Sequence, residues 1–464
     1  MEPNVSINYD DDQLQHIAEQ IMIDDELFRS FEDDELRRSR SIENKIRQIN
    51  EDELARYRPL YRAIREHNWK AVEDLVNNDP EALYANITEF GQNIFHLLGQ
   101  FDDAIGLVEK FVLRVPPESL ERENVQGVTA LVIAAVSGNT KAAKAFVGRH
   151  EKLLSVRHGK DELLPIHAAA ISSRKETVEY LISVTAEVED LAGECGSMLL
   201  KILIRSNLFG TALSLLKQYP ELARDDRKHY WRSNFDRMAR KPMIFAGGNR
   251  LGFWQSFIYN YIPLQEEKNP YPLPTGVDGG DIEKQTDTVT NSSAESVPSK
   301  FLQIAAKFAP SIKRIHDRKL MHTQTLEIVR LMIGGVSYWN YEKANKLLRE
   351  PALVAASLGI YEIVNEILKA YNVSVMFTND FGDHMLSLAV SNRQERVFNL
   401  IYQVCDLMLR DRITMDKNNL GLTILHIAGL SAPSSEVPGA ALQMQRELQW
   451  FKTVEDLFHP SIQG

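Results

Sequence analysis

Apolar side chains recur along the chain at the three-to-four-residue spacing of helix faces, in short bursts separated by polar breaks. From residue 58 onward the bursts come in pairs. Second bursts such as Thr140 to Phe146 and Glu176 to Ile182 each follow a first burst after a polar break. The pattern predicts an all-α chain. An aromatic and basic stretch, 226–264, then breaks the rhythm, and within it Leu251, Trp254, Ile258 and Tyr261 fall on one helical face. That helix is expected to cap the preceding array or, alternatively, to meet a membrane surface or a partner. Pro263, Pro270, Pro272 and Pro274 end helical structure, and 265–299 has almost nothing to bury, so it reads as a disordered linker. A second helical block is expected over 300–430, with one helix through Leu326, Val329, Arg330 and Ile333 and a pair over 351–358 and 360–368. Residues 431–464 carry an amphipathic helix with Met444, Leu448, Phe451, Val454 and Phe458 on one side, stopping at Pro460.

The bursts are copies of one unit. Gly91-Gln92-Asn93-Ile94-Phe95-His96, Gly127-Val128-Thr129-Ala130-Leu131-Val132, Leu164-Pro165-Ile166-His167 and Gly421-Leu422-Thr423-Ile424-Leu425-His426 align, and Pro59 to Ile64 opens the series. His96, Val132 and His167 share one slot, at intervals of 36 and 35 residues. Gly382 begins a further copy in which Ser387 stands in the His slot. The pattern resembles the ankyrin repeat, a turn followed by a T-P-L-H-x-A signature and two short helices in about 33 residues. A helix pair of this size buries its apolar face only by stacking on neighbours, Gly suits a turn with positive φ, and Thr can cap a helix start. About five units are expected in 58–225, and degenerate ones after residue 300. His96, Thr129, His167, Gly382, Gly421, Thr423 and His426 are the residues expected to hold the repeat together.

Charge changes the picture at one end. The chain has 53 Lys+Arg against 64 Asp+Glu, a net charge of -11. Residues 1–55 hold 16 acids and 6 bases, a net of -10, so residues 1–57 are expected to form an acidic, mostly disordered arm. An acidic balance argues against nucleic acid as the partner. Cys195 and Cys405 form no disulfide framework or metal-ligand spacing, no stretch reaches 18 apolar residues, and the first residues lack a signal peptide's pattern. A cytoplasmic chain is the expectation.

Candidate chemistry is sparse. The glycine cluster Ala246 to Gly252 lacks the Lys-Ser/Thr of a phosphate loop, His316 and His322 lack companions for a zinc set and are expected on a solvated face, and no nucleophile–base motif is present. No catalytic residue, no cofactor and no metal are expected.

Five segments carry a closer resemblance: Arg250 to Leu264, Arg318 to Met332, Pro351 to Tyr371, Asn392 to Gln403 and Val437 to Glu455. Together they resemble the plant ankyrin-repeat membrane proteins that end in a PGG domain, the group with the accelerated-cell-death and increased-salt-tolerance proteins. The resemblance implies a cytosolic repeat domain at the plasma membrane and roles in defence or stress signalling. Family members continue into a Pro-Gly-Gly motif and membrane spans, whereas this sequence ends at Gly464, so it is expected to lack that membrane domain. The expected function is a non-catalytic protein–protein interaction adaptor; the alternative is a membrane-associated regulator acting with PGG-domain relatives. Partner contacts are expected at the polar turn tips: Glu123, Asn124 and Gln126; Arg157, His158 and Lys160; Asp380 and Asp383; Asp416 and Asn418.

Overall fold

The structure, a computed structural model, describes residues 41–159, 162–186, 191–224, 230–247, 253–264, 310–334, 339–405, 407–430 and 440–458. The acidic arm before residue 41, Lys160, the 265–299 segment and the ends of the 431–464 region lie outside them. The protein is all-α: among the described residues the only extended pairing is two isolated bridges, His158 with Leu163 and Thr378 with His384. The chain divides into two compact units at Ala169 and Ala170, inside the helix Pro165–Ile171.

The first unit is a run of short helix pairs: α1 (Glu51–Arg65) with α2 (Trp69–Asn78), α3 (Ile94–Leu98) with α4 (Ile105–Val112), α5 (Ala130–Ser137) with α6 (Thr140–Arg149), then α7 (Pro165–Ile171). α3 packs on α5 and α4 on α6, so first helices stack on first helices and second on second. Asparagines start several of them. Asn68 and Asn139 accept from the Ala71 and Ala142 amides and satisfy donors that helix starts leave free. The joint between α5 and α6 is Gly138 at φ 83°, and the corresponding joint after α1 is His67 at φ 52°. Fully buried Phe95, Phe111 and Phe146 fill the seam between pairs, each contributing roughly 1.5–3 kcal/mol over its exposed state. The structured region begins earlier than the expected boundary at 58. Residues 41–47 are helical, and α1 starts at Glu51 with Asn50 as its cap and Tyr57 buried. Three acids in its first turn, Glu51, Asp52 and Glu53, suit the positive end of a helix.

The second unit contains α8 (Lys175–Thr185), α9 (Glu194–Arg205), α10 (Phe209–Gln218), α11 (Tyr230–Ala239), α12 (Phe253–Tyr261), α13 (Pro310–Ile333), α14 (Tyr341–Leu358), α15 (Tyr361–Ala370), α16 (Met385–Ser391), α17 (Glu395–Val404), α18 (Leu407–Met415), α19 (Ile424–Ala428) and α20 (Ala440–Phe458). Two rows run through it. α9, α11, α14, α16 and α19 pack in series, and beside them α10, α13, α15 and α17 do the same.

This pairing differs from the expected split into two blocks. α11 and α13 occupy successive places in the two rows and touch each other, although 80 residues separate their starts at Tyr230 and Pro310, so the 265–309 segment interrupts a helix pair. The 226–264 stretch therefore does not end the array as a cap would: α11 lies between α9 and α14. Two helix faces also differ from expectation. In α12, Tyr261 is 73% exposed while Ile262 just beyond it is buried. In α20, Trp450 and Val454 are buried, with Trp450 against Phe398, whereas Met444 and Leu448 are exposed. α14 begins ten residues before Pro351, which sits buried inside it, because Asn340 caps the earlier start through the Lys343 amide. Among the described residues no helix is long and apolar enough to cross a membrane.

Candidate functional site

The turns preceding four of the first helices, α3, α5, α16 and α19, are each built by one side chain. Asn124 Oδ1 accepts from the Gln126 and Val128 amides at 2.9 and 3.1 Å. Asn379 Oδ1 accepts from Phe381 and Asp383 at 3.0 and 2.8 Å, and Asn418 Oδ1 from Leu420 and Leu422 at 3.1 and 2.9 Å. Three residues on stands a glycine with positive φ, 72° at Gly127, 79° at Gly382 and 74° at Gly421, whose amide donates to the asparagine carbonyl. An Asn that folds back on its own backbone in this way imposes the turn locally, before any tertiary contact. Thr88 fills the same role ahead of Gly91, its Oγ1 accepting from Gln92.

Successive turns are joined edge to edge. In the first unit the Val125 amide donates to the Phe90 carbonyl at 2.9 Å; in the second the Asn419 amide donates to the Phe381 carbonyl at 2.9 Å. Asn419 Nδ2 adds a bond to the Asp380 carbonyl, and Asn418 Nδ2 donates to Asp383 Oδ1. The residue before each glycine is thereby held outward: Phe90 is 41% exposed, Phe381 67% and Leu420 75%.

The signature slot behind the turn is structural. His96 is fully buried; its Nε2–H donates to the Val128 carbonyl of the next turn at 2.9 Å, while Nδ1 accepts from the Asn93 amide. Burial, aided by the Arg122 charge and opposed by the Val128 carbonyl, lowers its pKa to about 4. His167 is buried and its Nδ1 accepts from the Leu164 amide. His426 closes a capping box with Thr423, whose Oγ1 lies 2.6 Å from Nδ1. Thr129 departs from its expected capping role: its buried Oγ1 accepts no amide of the helix start and has no hydrogen-bond partner. Val132 stands where an imidazole would meet it.

The copy at Gly382 holds a residue that sequence reasoning missed. His384 stands in the Thr slot and Ser387 in the His slot. The buried imidazole donates from Nε2 to the Ile413 carbonyl at 2.8 Å and accepts the Ser387 amide on Nδ1, while Ser387 Oγ donates back to the His384 carbonyl. The two polar ends have exchanged places and still join one copy to the segment leading to the next turn. The signal was present as a His–x–x–Ser directly after the turn glycine and Asp383. Burial lowers the His384 pKa, against the pull of the Ile413 carbonyl and two nearby carboxylates.

Of the residues expected at the tips, Glu123, Gln126, Arg157, Asp380 and Asp416 are exposed. Asn124 is a correction: it is buried, because its amide is spent on the turn. Asn418 and Asp383 are half-buried and bonded to each other, and His158 is half-buried, with its backbone paired to Leu163. Arg157 reaches the Glu162 carbonyl, and Asp380 pairs with Arg349. The apolar tips Phe90, Phe381 and Leu420 were not anticipated; their mark in the sequence is an apolar residue immediately before the turn glycine.

His322, expected on a solvated face, is buried against the Tyr259 ring, with Nδ1 2.8 Å from the Tyr259 hydroxyl. In the glycine cluster, the Gly247 amide donates to Oε1 of the buried Glu362 at 2.6 Å, so a carboxylate of the protein already takes that donor. Among the described residues no group of His, Cys, Asp or Glu could hold a metal ion. No family model matches the chain. No curated protein matches it either.

Proposed function

We propose that the chain is a non-catalytic protein–protein interaction adaptor of ankyrin-repeat type, with partners bound at the turn tips within each unit. The observation that carries this reading is the locked turn. Asn124, Asn379 and Asn418 fix their own loops, bonds such as Asn419 to Phe381 tie one loop to the next, and the tips display exposed Phe381 and Leu420. A rigid edge that presents apolar groups ringed by Asp380, Asp383 and Asp416 loses little entropy on binding, which suits recognition of another protein. The repeating slot chemistry at His96, His167, His384 and His426 supports the ankyrin assignment. Defence or stress signalling in a plant is the physiological setting that the sequence resemblance implies.

The test is the double variant Phe381→Ser/Leu420→Ser, beside the charge reversal Arg157→Glu. Proteins retained by the wild-type chain from extracts of its own cells should be lost from the double variant, with an affinity drop of at least about thirtyfold if the tips are hot spots. The melting temperature should stay unchanged, since both side chains are exposed. Undiminished retention would refute the reading.

A further inference from the structure

A second surface is formed by α12 and α13. α12 exposes two aromatic rings, Phe257 at 53% and Tyr261 at 73%, in contact with centroids 4.8 Å apart and planes tilted by 40°. Single exposed rings are ordinary; a touching pair one helical turn apart, beside a basic stretch, is not. That stretch is the first half of α13. Residues 313–319 carry Lys313, Arg314, Arg318 and Lys319 against the single acid Asp317, four positive charges minus one negative, or +3. Lys313 and Arg314 are exposed and Arg318 is half-exposed.

Their placement beside the rings is fixed by Lys319. Its Nζ donates to the Asn260 and Ile262 carbonyls at 3.3 and 2.9 Å, capping the end of α12, and lies 5.8 Å from the Tyr259 ring centre. Tyr259 meets His322 while Asn260 and Ile262 meet Lys319, so the two helices run antiparallel. The end of α12 bearing Tyr261 therefore lies beside Lys319, and the basic start of α13, with Lys313 and Arg314, runs on past it. Buried His322, against half-buried Tyr259, and buried Ile262 hold the inner side of α12, while Phe257 and Tyr261 are exposed.

We propose that this surface binds an anionic lipid bilayer. Phe257 and Tyr261 enter the headgroup layer, where amphipathic rings are favoured, and Lys313, Arg314 and Arg318 face lipid phosphates and carboxylates. The charge complementarity selects a negative surface, and the paired rings select one with an apolar interior over a soluble polyanion. The contact is peripheral and reversible: each cation and each ring contributes modestly, and salt screens the ionic part.

The test is co-sedimentation of the full chain with vesicles of phosphatidylcholine alone or with about 30% phosphatidylserine, at about 0.1 M salt and again at higher salt. Binding to the anionic vesicles, little to the neutral ones and release by salt are expected. Lys313→Gln/Arg314→Gln and Phe257→Ser/Tyr261→Ser should each lower the partition about tenfold or more. Lys70→Gln/Lys141→Gln, which removes two exposed cations from the first unit, should leave it unchanged. All substituted side chains are exposed, so each variant should melt with the wild type; if one basic or aromatic variant fails to fold, the other decides. No preference for anionic vesicles, wild-type binding by a folded variant of either kind, or an equal loss in the Lys70/Lys141 control would overturn the proposal.

Discussion

Acid should loosen the first unit through His96. In the fold this imidazole has both nitrogens committed, Nε2–H to the Val128 carbonyl and Nδ1 to the Asn93 amide, so a second proton must displace a bond inside a dry seam. Its pKa falls to about 4 in the fold against 6.5 for a free imidazole. The sign follows from that depression. Below pH 6.5 the unfolded chain takes up a proton that the folded chain refuses, so stability is full above 6.5, declines as pH falls, and levels off near 4. The fall from 6.5 to about 4 corresponds to about 3 kcal/mol. The assay is urea unfolding read by pulsed hydrogen exchange in peptides covering 94–112, for the wild type and for His96→Gln, from about pH 7.5 down to about pH 4. Near neutrality the variant should be the weaker, having lost a bonded imidazole. On acidification the gap between the two should shrink by about 3 kcal/mol, because only the wild type carries this proton linkage. A gap that stays constant with pH would refute the reasoning.

Thr129→Val should raise stability by about 1 kcal/mol, since it replaces a buried hydroxyl that has no partner with a methyl of the same shape; a fall in the urea midpoint would contradict this. Gly382→Ala should cost more than Gly421→Ala. Both sit at positive φ, but a Cβ at Gly382 would lie 2.7 Å from Asn419 Oδ1 and 3.0 Å from its amide nitrogen, whereas one at Gly421 meets nothing within 4 Å. The expected losses are about 1 kcal/mol for Gly421 and about twice that for Gly382, and equal losses by thermal unfolding would show that the turn-to-turn contact is slack.

Much of the architecture could be read from the sequence because it is local. Helical spacing and the turn glycines mark the pairs, and the His slot marks the copies, since each depends on residues within one repeat. What escaped depends on distance. Nothing near residue 265 says that α11 and α13 belong to one pair; that is decided by α9 and α14 on one side and α10 and α15 on the other. The packed face of α20 is set by Phe398 taking Trp450, and the periodicity of Met444 and Leu448 alone points to the other side. At the turns, composition alone suggests that Asn124 and Asn418 are exposed polar groups. Their amides instead reach the backbone two and four residues on, which draws the side chains inward and leaves the apolar tips outside.

The central claim is that partners bind at the turn tips, and site-directed photocrosslinking tests it most directly. A benzophenone amino acid placed at Gln126, Phe381 or Leu420 in the full chain, irradiated in its own cells, should give discrete adducts with other proteins. The same group at exposed positions on second helices, Glu109 in α4 and Lys369 in α15, should give none of them. Tips without adducts, or identical adducts from the helix positions, would contradict the account.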